Sequence, residues 1–178
     1  LPDTPARNTY PSPLNPEGVT FLPVSPRLVT ARFIERGGWG LLFLLVTSVP
    51  LVLRATGVWP GYPAVLAWVL PAAVLLIVLW VLALVRRQVR AIGYAERDDD
   101  LLIRHGILFQ RVLVVPYGRM QFVDVTVGPL ERALGLSSLK LHTAAPGTEA
   151  MIHGLTTAEA ARLRERLPAL GEAKLAGL

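Results

Sequence analysis

Two stretches of the chain lack the mixing of apolar and polar positions that a water-facing element needs. Residues 62–85, YPAVLAWVLPAAVLLIVLWVLALV, hold 24 residues without a charge. At about 1.5 Å per residue such a run exceeds the roughly 20 residues that cross a bilayer core, so it predicts a transmembrane helix. Pro71 near its middle predicts a kink, which lipid-embedded helices tolerate when neighbours satisfy the freed carbonyl. Residues 37–53, GGWGLLFLLVTSVPLVL, form a shorter apolar run of 17 residues closed by Arg54. The expected spans are therefore about 37–54 and 62–85. Trp39 and Trp59 stand where interfacial indoles belong, and Arg54 can extend its guanidinium to headgroups at the far end. Gly57, Pro60 and Gly61 between the runs predict a short turn and an antiparallel hairpin.

Beyond Arg90 the period changes to two, the mark of antiparallel sheet. Short strands are expected at 89–95, 101–104, 107–111, 111–117, 122–127, 139–143 and 150–153. In the fifth, Val123, Val125 and Val127 share one face while Asp124 and Thr126 share the other. Residues 128–136, GPLERALGL, predict a helical turn or two, with Pro129 at the first helical position and Gly135 as a left-handed stop. Thr156 and Glu159 form a possible capping box for a final helix whose stripe is Ala160, Leu163, Leu167 and Leu170, broken near its end by Pro168. The fold class is thus an α+β membrane protein: a two-helix transmembrane hairpin, then a seven-stranded β-barrel or sandwich with a C-terminal α-helix. The expected divisions are a Pro-rich arm (1–26), the hairpin (27–88), the domain (89–171) and a short tail (172–178). The arm should be extended and loosely ordered; docking as an added strand is the sharper alternative.

Charge refines this picture by its position. The net charge is +5, yet from residue 86 onward 13 Lys+Arg face 10 Asp+Glu, and Arg86, Arg87 and Arg90 account for that surplus. The near balance elsewhere argues against a nucleic-acid partner. Arg27, Arg32 and Arg36 precede the first run and Arg86, Arg87 and Arg90 follow the second, whereas the connecting turn carries Arg54 alone. The positive-inside rule then puts both termini in the cytoplasm of a multi-pass protein. No cleaved signal peptide is expected, because the first apolar run starts late and lacks a small-residue cleavage pattern. The absence of cysteine removes disulfides, thiolate metal sites and thiol nucleophiles.

Candidate chemistry is sparse. Arg119, Gln121 and Asp124 could make a polar constellation on one strand, although structural pairing is the ordinary role of such groups. His105, His142 and His153 lack the spacing of a metal site, and residues 98–100, all aspartate, lack the order of a calcium loop and read as a solvated turn. No phosphate-binding glycine motif occurs, and no cofactor is expected. Arg86, Arg87, Arg90, Arg97, Arg104 and Arg111 could form a basic collar for anionic headgroups. With Arg119 and Arg132 they are the candidate lipid- or partner-binding residues.

Residues 101–144, LLIRHGILFQRVLVVPYGRMQFVDVTVGPLERALGLSSLKLHTA, carry a set of linked motifs. These are I-R-x-G, P-x-x-R-h-Q-x-V-D-V with h apolar, G-P-L-x-R-x-L-G-L, and a following strand ending H-T-A. Arg104, Gly106, Pro116, Arg119, Gln121, Val123, Asp124, Gly128, Pro129, Leu130, Arg132, Gly135, Leu136 and Thr143 all fall in register. In this the chain resembles the bacterial pleckstrin-homology (PH)-like family, also called the membrane-flanked domain, over roughly residues 25–170. Leu141 and Tyr117 depart mildly from its pattern. The resemblance implies a PH-like domain of seven strands and a C-terminal helix, preceded by a helical hairpin in the bacterial cytoplasmic membrane. It also implies a membrane-tethered assembly module, whose partners would be membrane lipids, a second copy, or another protein with PH-like domains. An envelope enzyme using Asp124 or His142 as base is the alternative. Fold alone decides neither.

Overall fold

The computed structural model describes residues 19–143 and 149–177. They fall into two compact units: a helical hairpin from Pro26 to Val89, and a domain that combines the described residues up to Ser25 with those from Arg90 onward.

The hairpin consists of α1 (Arg27–Ala55) and α2 (Ala64–Arg90). Both helices outrun their apolar cores at the arginine-bearing ends, because helix geometry continues through Arg36 and Arg86 after hydrophobicity has stopped. Gly40 sets the closeness of the pair: a Cβ there would stand 2.7 Å from Val78 Cγ1, the small-residue approach common between helices in lipid. At the arginine-bearing end Arg36 donates to Gln88 at 2.5 Å. At the opposite end Arg54 donates to the carbonyls of Pro60 and Tyr62, so its guanidinium clips the turn. Most other apolar side chains point outward. Only 6% and 11% of the most apolar windows of α1 and α2 are buried, and Trp68, Trp80, Leu76 and Phe43 are all well exposed. A soluble core helix would hide these groups; here they present a hydrocarbon surface that water penalises and lipid does not. Pro50 and Pro71 lie inside their helices.

The domain is built from two antiparallel sheets and two helices. The first sheet has the order β1 (Leu22–Pro23), β2 (Gly93–Glu96), β3 (Asp100–His105) and β4 (Arg111–Pro116). A single 3-10 turn, Tyr117–Arg119, leads into the second sheet of β5 (Met120–Thr126), β6 (Leu136–Thr143) and β7 (Glu149–Thr156). The short helix α3 (Pro129–Leu134) joins β5 to β6, and α4 (Thr157–Ala176) ends the chain. Leu101, Leu102, Ile103 and Val115 from the first sheet are buried, with Tyr117 of the 3-10 turn, as are Leu139, Leu141, Ala150 and Ile152 from the second. Ala160, Leu163 and Leu167 of α4 are fully buried, as their spacing predicts.

Among the described residues there are seven strands, but not the seven expected, and the two sheets do not close into a barrel. The strand expected at 107–111 is absent but for Arg111, which opens β4; 106–110 are the loop of the β3–β4 hairpin, because Gly106 turns the chain at φ +102°. The first strand is supplied instead from before the hairpin, by the arm: Leu22 pairs with Tyr94 and Pro23 with Gly93. The arm's described end is therefore an edge strand, where a proline removes no inner ladder bond. The rest of it lies outside the described residues. Residues 89–90 belong to α2, and β2 starts only at Gly93. Pro168 does not stop α4, which runs to Ala176. Gly171 helps this stretch lie close to the domain, since a Cβ there would meet the Tyr117 carbonyl oxygen at 3.0 Å.

Candidate functional site

The β3–β4 hairpin is the most unusual feature of the domain's surface. His105 pairs with Arg111 across the ladder, closing a loop of Gly106, Ile107, Leu108, Phe109 and Gln110. Gly106 is obligatory here: beyond its positive φ, a Cβ would lie 2.0 Å from the Phe109 carbonyl oxygen. This close return of the chain leaves Leu108 91% and Phe109 92% exposed, with Ile107 partly exposed behind them. His105 and Arg111 at its base are exposed as well. Alternation of apolar residues alone suggested a strand; the signal for a loop was the glycine.

The eight candidate arginines do not converge. The register Pro23–Gly93–Arg104–Val112 defines one end of the first sheet, and Arg104 and Arg111 lie there. Arg90 precedes Gly93 by three residues, while Arg86 and Arg87 belong to the exposed end of α2. Arg97 is at the sheet's opposite end, beside the β2–β3 turn, and lies 3.6 Å from Asp100. Arg119 is in the 3-10 turn rather than on β5, so it and Gln121 do not continue the alternation of Val123; a bulge between Met120 and Phe122 breaks that pattern. Arg132 is exposed on α3. Arg104 is half-buried, with its guanidinium 4.5 Å from the centre of the Phe21 ring, and burial lowers its pKa. Gly93 makes room for that arm, because a Cβ would meet Leu22 O at 3.2 Å and Phe21 Cβ at 3.3 Å. Nothing in the periodicity singled out Phe21.

A second polar cluster ties α4 to the first sheet. Glu159 accepts from the Tyr94 hydroxyl at 2.5 Å and from Arg162 at 2.6 and 3.0 Å. Arg162 also pairs with Glu96, which Arg166 approaches at 3.4 Å. Half of the expected capping box is present, with the Thr156 hydroxyl accepting from the Glu159 N–H at 3.3 Å, but the Glu159 carboxylate reaches Tyr94 and Arg162 instead of returning to the cap. The hydrogen bonds from Arg162 hold Glu159 below the usual carboxylate range, and burial beside that carboxylate raises Tyr94. All these groups are saturated by one another, which is the behaviour of a structural clasp.

A third cluster contains Glu131, Ser138 and His153. The Ser138 hydroxyl donates to Glu131 at 2.7 Å and stands 3.0 Å from His153 Nδ1, while the Gly128 N–H donates to the other Glu131 oxygen at 2.9 Å. These are the residue types of a hydrolytic triad in the wrong order. A hydroxyl has one proton, and with the Glu131 carboxylate accepting it the Ser138 hydroxyl points away from His153 Nδ1, unlike the serine-to-histidine bond of a triad. The cluster pins the α3 turn, whose Gly135 adopts the left-handed stop at φ +66°. It went unread in the sequence because only strand register brings Ser138 and His153 together.

Asp124 is exposed opposite Lys140 in the register, and His142 stacks on Phe122 with ring centroids 4.0 Å apart. His105 is at the hairpin base and His153 in the serine cluster, so the histidines are dispersed. Among the described residues no group of three His, Asp or Glu side chains could hold a metal.

Comparison with known proteins agrees with this architecture. The bacterial PH domain family matches residues 40–170. The UPF0699 transmembrane protein YdbS of Bacillus subtilis (strain 168) is 31% identical over 139 residues, covering 74% of this chain and 85% of that relative. No solved structure matches.

Proposed function

This chain belongs to the bacterial PH domain family, and on that premise we propose that it is a membrane-tethered interaction module. The hairpin holds the PH-like domain at the cytoplasmic face of the bacterial inner membrane, where the domain binds a protein partner or anionic headgroups and catalyses no reaction. The observation that carries this reading is the pairing of β1 with β2 across the hairpin. Strands from before the first span and after the second are hydrogen-bonded neighbours, so both flanks share one side of the bilayer. The arginines at 27, 32, 36, 86, 87 and 90 favour the cytoplasmic side, against Arg54 alone in the connecting turn. A domain confined this way needs little intrinsic affinity, since tethering raises the effective concentration of anything else in the membrane. Against catalysis stand the Ser138–Glu131 hydrogen bond, which takes the place of a serine-to-histidine one, and the cross-strand position of Asp124 opposite Lys140.

Two measurements test the reading. Cysteines introduced singly at Val58 and Asp98 are exposed to a membrane-impermeant maleimide in intact spheroplasts; Val58→Cys should label and Asp98→Cys should not, and the reverse pattern overturns the orientation. A photoreactive residue at Arg132 or Lys140 should give a reproducible adduct with a protein or a phospholipid in native membranes. A domain that yields neither, and that purifies as a partnerless monomer indifferent to lipid headgroup, would sink the module.

A further inference from the structure

We propose that the β3–β4 hairpin tip is a second, shallow membrane anchor, its Leu108 and Phe109 side chains immersed in the interfacial zone of an anionic bilayer. The inference rests on the tethered-module reading and deepens it by naming the ligand surface. Three observations lead to it. First, the two most exposed large apolar side chains among the described residues are adjacent, at 91% and 92%, on a loop whose shape Gly106 enforces. Second, the base of the loop carries Arg111, directly opposed to His105, with Arg104 one step behind. An apolar point with arginine at its base matches the profile of a bilayer surface, hydrocarbon beneath anionic headgroups.

Third, the register fixes which end of the sheet the tip occupies. Pro23, Gly93, Arg104 and Val112 form one row, and the tip projects beyond it. From that same row the backbone leaves for both membrane helices: α1 begins four residues after Pro23, and α2 ends three residues before Gly93. The turn at the other end of the sheet, residues 97–99, is acidic and carries no large apolar side chain. The loop that a bilayer would attract is thus on the end that the chain ties to the spans, and the loop that anionic lipid would repel is on the other.

The chain contains no cysteine, so one introduced thiol can carry an environment-sensitive fluorophore without background. The full-length protein labelled at Phe109→Cys, or at Asp98→Cys as reference, is placed in nanodiscs of phosphatidylcholine with about one-third phosphatidylglycerol. The label at 109 should be about tenfold less accessible to iodide than the label at 98, and quenched by bromine-bearing acyl chains. Arg111→Gln in the same background should raise iodide access about fivefold, as should removal of phosphatidylglycerol. Equal iodide access at 109 and 98 would overturn the proposal. So would a label at 109 that is wet in nanodiscs but protected in native membranes, which assigns the tip to a protein partner and leaves the module reading intact. Loss of the photo-adducts described above, with the tip still immersed, would instead remove the module reading's partner and leave the lipid contact.

Discussion

The two hairpin turns of the first sheet do opposite things. At residues 97–99 the turn is tied inward: the Arg97 N–H donates to Asp100 O at 2.9 Å, the Tyr117 N–H donates to Asp99 O at 3.1 Å, and the Lys174 ammonium of α4 reaches the Asp99 carboxylate. At residues 106–110 the side chains that could form a core, Leu108 and Phe109, point outward instead. One turn completes the fold; the other spends apolar surface on something outside it. Natural domains leave adjacent large apolar residues this exposed where a partner surface will cover them.

That contrast can be broken in graded ways. The largest effect belongs to the element that holds the polar turn, α4. Leu163→Ala, at a fully buried position, should destabilise the domain by about 2–5 kcal/mol, read from hydrogen exchange of the strand amides in detergent-solubilised protein. Next is the shape of the apolar turn: Gly106→Ala forces a Cβ onto a carbonyl and should cost about 1–3 kcal/mol, confined to exchange in β3 and β4. Exchange that rises equally in β5–β7 would mean the loop is structurally central rather than peripheral.

The clasp comes third. Arg162→Ala should cost about 1 kcal/mol, since its partly exposed pairs are screened. Its pH signature is distinct. Glu159 has a folded pKa below its ordinary 4.5, so its contribution is complete above that value and is lost as the pH falls through the lower, folded value. Acid should therefore weaken the wild type more steeply than Glu159→Gln, a difference absent near neutrality. The smallest effect is the most pointed. Leu108→Ser with Phe109→Ser should leave domain stability within about 0.5 kcal/mol of wild type, because exposed side chains contribute little to folding. A large loss would show that the tip folds onto the domain and would remove its availability to lipid.

Much of this architecture was legible in the chain. The uncharged runs marked both helices, the alternation at Val123 and Val125 marked the second sheet, and Gly128, Pro129 and Gly135 marked the turn between its strands. The misreadings share a cause. β1 is two residues long and carries a proline, so it has no period; it exists because a strand some seventy residues away offers an open edge. The tip was read as a strand because Ile107, Leu108 and Phe109 look like core, and hydrophobicity states a preference for leaving water without naming the phase entered. Pro168 was read as a break near the helix end because local propensity counts the lost hydrogen bond but not the packing of α4 on both sides of it. The serine cluster needed register, which no local pattern contains. The arginines were legible as charges but not as a set, since strand topology sends Arg97 and Arg104 to opposite ends.

The interrupted edge of the first sheet has a consequence for biogenesis. Leu22 leaves the ribosome long before its partner Tyr94, and everything translated between them must enter the bilayer before the two can meet. If just one of the two helices inserted, the strands would be stranded in different compartments and the sheet would lack its first member. Completion of that ladder therefore requires both flanks on one side of the bilayer, and a nascent chain that failed this would leave β2 as an open edge.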